Sequence, residues 1–139
     1  MQNFNEFFKR QGSIYLQNIS YKLISLEMNP EQTKTDVIDH ISTELISDYK
    51  ELRVLFTRTI KFNPERLYEL SITYGAIYTF NEGYSKELLE NINFDNLILR
   101  SNNIMFTNII SRTSLLISQI TSSHGQFPMV TPPLFLIEH

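Results

Sequence analysis

Apolar residues recur along most of this chain at intervals of three and four, the spacing of one helix face. Tyr15, Leu16, Ile19, Leu23 and Leu26 form the first such face, opened by Gly12-Ser13 with Ser13 as N-cap and closed by Asn29-Pro30. Because Ile19, Tyr21 and Leu23 also alternate, a strand over Ile14 to Ile24 is the second reading of this stretch. Ahead of it, Phe4, Phe7 and Phe8 mark one side of a helical turn or two. The next stripe, Ile38, Ile41, Leu45, Tyr49, Leu52, Leu55 and Phe56, is the longest. Thr33 or Thr35 caps it, Asp36 and Asp39 occupy its first turns, and Lys50, Arg53, Arg58 and Lys61 lie toward its end, an order of charge that complements a helix dipole. The pattern predicts a helix of roughly 25 residues, about 37 Å long, ending near Ile60.

Asn63-Pro64-Glu65 starts a third helix through Leu67, Leu70, Tyr74, Ile77 and Tyr78, which Asn81-Glu82-Gly83 ends. Ser85 caps a shorter piece through Leu88, Leu89 and Ile92. Asp95 then heads a stretch running to Ser123 whose only cations are Arg100 and Arg112, and whose apolar face is Ile98, Met105, Ile109, Leu116 and Ile120. A helix with water on one side normally carries charge there, so this one is expected to have protein on most sides, its own bundle or copies of itself. Beyond Gly125, Pro128, Pro132 and Pro133 forbid a helix from Phe127 to Pro133. The reading is an all-α fold, a helical bundle of four to five helices over residues 1–123 with an extended apolar C-terminal arm over 124–139. An arm bearing Phe127, Met129, Val130, Leu134, Phe135, Leu136 and Ile137 needs cover, so these are the candidate partner-binding residues. The apolar run Leu134 to Ile137 suits a segment buried on both faces, in cis or on a neighbouring chain.

Composition narrows the function classes. With 139 residues the chain makes one domain with a real core. A net charge of −3 gives no overall basic field, so nucleic acid is expected only through local contact if at all. The absence of Cys removes thiolate nucleophiles, thiolate metal sites and a disulfide framework. The first ten residues lack a signal-peptide pattern and no apolar run reaches membrane-spanning length, which leads us to expect a virion or cytoplasmic location without membrane contact.

Candidate chemistry is sparse. Gly12, Gly75, Gly83 and Gly125 stand singly, so no phosphate-binding loop exists, and no metalloprotease, hydrolase-elbow or calcium-loop signature occurs. Asp36, His40, Glu44 and Asp48, four apart on the second helix with Asp39 alongside, could face one divalent metal. A single helix offers such an ion too few ligands, and the stripe reads as a solvated acidic face. Arg53, Arg58, Lys61 and Arg66, with Phe56, Phe62 and Tyr68 between them, could touch phosphate, but Glu51, Glu65 and Glu69 interleave. Tyr74, Tyr78, Phe80 and Tyr84 read as core, and His124 and His139 as solvent or interface residues. No catalytic, cofactor-binding or metal residue is assigned, and no enzyme is expected.

A small helical bundle followed by an extended arm resembles, in layout, the head-to-tail connector adaptors of tailed phages, whose arms dock onto the portal ring. That resemblance implies a non-enzymatic structural protein of a homo-oligomeric complex, active in virion assembly, with its arm holding a second protein ring. It carries over no site residues. The alternative is a regulatory adaptor that docks on replication or transcription machinery through its C-terminal peptide, where Phe135-Leu136-Ile137 stands beside Glu138.

Overall fold

The computed structural model describes residues 4–9, 12–25, 34–63, 67–100, 104–123 and 129–136. Four strands dominate it, β1 (Ser13–Ser25), β2 (Lys34–Ile46), β3 (Glu51–Asn63) and β4 (Leu67–Thr79). They form one antiparallel sheet in the order β1-β4-β3-β2. A 3-10 turn, Phe4–Phe7, precedes them, and α1 (Lys86–Glu90), α2 (Phe94–Arg100) and α3 (Ile104–Ser122) follow. The expectation of an all-α bundle is thus overturned: residues 1–123 hold a sheet with its helices packed on it. The connector layout, and the virion-assembly reading built on it, lose their premise.

The strands follow a period of two that the periodicity of three and four concealed. On β3, Leu52, Val54, Phe56, Arg58, Ile60 and Phe62 are buried while Arg53, Leu55, Thr57 and Thr59 alternate with them half-buried. On β4, Leu70, Ile72, Ala76 and Tyr78 repeat the pattern. Register aligns these rows across the sheet, so that Ile19, Ile72, Arg58 and Asp39 form one row through β1, β4, β3 and β2. One face therefore belongs to the core. The other is laced with hydroxyls, Thr57 to Thr73 and Thr59 to Ser71, each pair 2.8 Å apart. A sheet with one covered and one polar face is what this alternation dictates.

The helices cover the inner face. Ser85 caps α1 by accepting from the Leu88 N–H, as the sequence predicts. α3 lies against β4 and β3, burying Phe106, Ile109, Ile110 and Ile117. Its charge-poor composition does not mean cover on most sides, since Asn108, Ser111, Leu115 and Gln119 are exposed, while buried Thr113 and Thr121 donate their hydroxyls to the Ile109 and Ile117 carbonyls four residues back. Phe4, Phe7 and Phe8 are buried with Tyr78, Phe80 and Phe94 at one end of the sheet. Gly83 has a positive φ of 103°, as expected of a terminating glycine, but the element it follows is β4. The turn between β2 and β3 places Ser47, Asp48 and Tyr49 at φ of 55°, 55° and 65°, a left-handed run without glycine. Lys86 holds Asp48 at 2.8 Å and Glu90 accepts from the Tyr49 hydroxyl, tying that turn to α1.

Candidate functional site

α3 leaves two flanks of the inner face, one toward β1 and one toward β2. On the β1 side, Leu16, Ile19 and Leu23 pair with Tyr74, Ile72 and Tyr68 and so stand on the core face, one strand beyond the cover of α3. They are 45%, 43% and 53% exposed. β1 is also an edge strand, and among the described residues nothing pairs with its outer side. The opposite edge, β2, carries exposed Lys34, Asp36, His40 and Glu44, the charges that normally guard a sheet edge. Along its 13 residues β1 has Lys22 alone. Register shifts after Leu16 and Leu23 bend this edge without closing it.

The β2 side is filled by the arm. Arg58 and Asp39 meet there in a two-pronged pair, Nε to Oδ1 and Nη2 to Oδ2 each at 2.7 Å, with both side chains fully buried. Nη1 faces the Ser114 and Thr131 hydroxyls at 3.0 Å and the Pro132 carbonyl at 2.7 Å, while Nη2 also donates to the Leu134 carbonyl at 2.8 Å. Asp39 accepts from the Leu136 N–H at 2.8 Å. Phe135 completes a trio with Phe56 and Phe106, ring centres 6.1 and 6.4 Å away, and Met129 packs against the apolar cluster that includes Ile60 and Ile117. The Met129 N–H reaches the Thr121 hydroxyl at 2.7 Å.

Of the arm residues singled out in the sequence, Met129, Phe135 and Leu136 are half-buried against the chain's own sheet, whereas Val130 and Leu134 are exposed. Phe127 and Ile137 lie outside the described residues, as do His124, His139 and Arg66. The acidic stripe is taken apart. Asp36, His40 and Glu44 sit on a strand, where positions four apart are separated by about 13 Å, and Asp48 is in the following turn. No group of three His, Asp or Glu among the described residues is placed to hold a metal. The basic patch is dispersed as well. Arg53 pairs with Glu44, Lys61 with Glu69 and Arg58 with Asp39. Among the described residues no helix is long and apolar enough to cross a membrane.

Sequence reasoning placed Arg58 in a phosphate patch and not in a buried pair, and it held the strand over Ile14 to Ile24, which the structure forms as β1, only as a second reading with no site on it. The available signal for the first was a charged residue in the middle of an alternating apolar row. For the second it was the alternation at Ile19, Tyr21 and Leu23.

No family model matches the chain, and no curated protein matches it. The fold is similar to that of Mycobacterium tuberculosis Rv1957, a SecB-like chaperone solved in complex with a ChAD peptide from the Rv1956 HigA1 antitoxin. The TM-score is 0.61 over 86% of each chain, at 8% sequence identity. That likeness is one of fold.

Proposed function

We propose that this chain is a non-enzymatic binding module that receives an extended apolar segment of another protein along the β1 flank. The observation that carries the reading is the placement of Leu16, Ile19 and Leu23 on the core face of an unguarded edge strand. Such an edge offers backbone partners to an added strand, and side chains on one face give it an apolar footing. The neighbour of like fold holds a peptide of another protein, which supports the same class of role. Of the two readings drawn from the sequence, the docking adaptor is the one this geometry favours, with its direction changed. The sheet does the receiving, while the chain's own arm is engaged on the opposite flank.

The test is a titration of the full chain into a labelled, unstructured apolar peptide of about twelve residues, enough to run along one strand of this length. We expect binding that Ile19→Asp weakens about tenfold or more, since a carboxylate would have to be buried under the peptide. Ile19 is exposed, so the variant keeps its fold. Light scattering on both proteins identifies the competing occupant. Self-association lost in Ile19→Asp, with no peptide binding in the wild type, would assign the flank to a second copy. Monomers that bind no peptide would remove the proposal.

A further inference from the structure

We propose that the lane between α3 and β2 is a second peptide site, independent of the β1 flank, whose resident ligand is the arm and which accepts the same segment from a second copy of the chain. Its polar half reads main chain. The Pro132 and Leu134 carbonyls and the Leu136 N–H are each two residues apart, and the bend at Pro133 and Leu134 turns all three toward the buried pair. Arg58 takes the two carbonyls and Asp39 the N–H, so a pair of side chains does what a neighbouring strand does in a sheet. The apolar half supplies two anchors six residues apart, Met129 against the Ile60 cluster and Phe135 against Phe56 and Phe106.

Two features make this an exchangeable ligand and not a sealed piece of core. The arm's outer side faces water, with Val130 83% exposed and Pro132, Pro133 and Leu134 exposed as well. The arm residues also form no strand, so leaving breaks no ladder of the sheet. At the same time the lane cannot stay empty without cost. Arg58 is fully buried, and without the arm Nη1 keeps only Ser114 among these acceptors and Nη2 only Asp39. Donors that an empty lane leaves to water regain charge-assisted bonds from a segment that offers carbonyls at the same spacing. The arm of a second copy offers them by identity of sequence.

The experiment adds a labelled peptide of residues 127–139 to two full-length proteins, the wild type and Phe135→Ser, which loosens the arm in cis. A tethered arm competes at a high effective concentration, so the wild type should bind the peptide weakly. The variant should bind it about tenfold tighter or better, and peptides carrying Thr131→Ala or Phe135→Ala should lose that gain. If Phe135→Ser does not melt cooperatively, Thr131→Ala in the full chain serves in its place, removing only a hydroxyl shared with Arg58 and Ser114. Equal affinity of both proteins for the peptide, or no binding by a folded variant, would overturn the proposal. Both proteins carry Ile19→Asp as well, which closes the β1 flank to the peptide, so the difference between them reports the arm lane alone.

Discussion

Arg58 is the residue on which the packing is most sharply balanced. It is fully buried and shares its guanidinium with a carboxylate, two hydroxyls and two carbonyls. Burying an ion pair gains little over an apolar replacement, but removing one partner leaves the other charge stranded in a medium that cannot solvate it. Arg58→Met should therefore cost about 3–5 kcal/mol in urea denaturation, because it strands Asp39. The double variant Arg58→Met, Asp39→Leu should recover a good part of that loss. A double variant as unstable as the single one would mean that the arm's lost hydrogen bonds, and not the stranded carboxylate, dominate.

At the scale of elements, β1 and β4 meet where the far end of a tyrosine ring lies over a glycine. Tyr15 lies across Gly75, its paired residue, and a Cβ at position 75 would fall inside the contact distance of the Tyr15 ring. Gly75→Ala should cost about 1–3 kcal/mol, an overpacking penalty, and less than that in a Tyr15→Ala background, as thermal melts of the four proteins would reveal. The same strands explain what could be read from the sequence and what could not. α1 and its Ser85 cap, the long helix after Asp95 as α2 and α3, and the non-helical arm were legible because caps, prolines and a helical stripe act locally. The sheet was not. Ile38, Ile41, Leu45 and Leu52 are spaced like a helix face, yet Ile41, Leu45 and Leu52 face the core from two strands joined by a tight turn and Ile38 faces out. On β3 the true alternation runs through Arg58, whose charge made an inward position look polar until Asp39 was found across from it. Strand pairing is a property of distant partners, and no window of a dozen residues contains both.

For the whole molecule, the response to alkali follows from where the tyrosines sit. Tyr78 is buried among Phe4 and Phe8, and desolvation pushes its hydroxyl well above the ordinary value near 10. Burial also raises Tyr68, with the nearby Tyr21 hydroxyl adding to the effect. In the unfolded chain both phenols lose protons near pH 10, while in the fold they keep them. Above that pH the unfolded state binds fewer protons, so stability falls as pH rises. Each fully affected tyrosine contributes a slope of about 1.4 kcal/mol per pH unit, and below pH 9 neither contributes. Urea midpoints measured from pH 8 to 11 should be flat and then drop, and Tyr78→Phe should make the drop shallower. A midpoint unchanged at pH 11 would mean that these phenols meet water.

The buried pair also bears on where the arm comes to rest along its groove. A purely greasy channel would let Phe135-Leu136 slide by two residues and find nearly the same contacts, because apolar surfaces do not mark position. Arg58 and Asp39 act as a notch. Backbone carbonyls recur at every residue, but only one setting of the segment also brings the Thr131 hydroxyl to Arg58 and Ser114 with Phe135 against Phe56 and Phe106, and a slip in either direction forfeits those contacts together. The groove thus measures the spacing of a hydroxyl and a ring along the arm, and a scrambled arm with the same residues would keep the backbone bonds and lose the alignment.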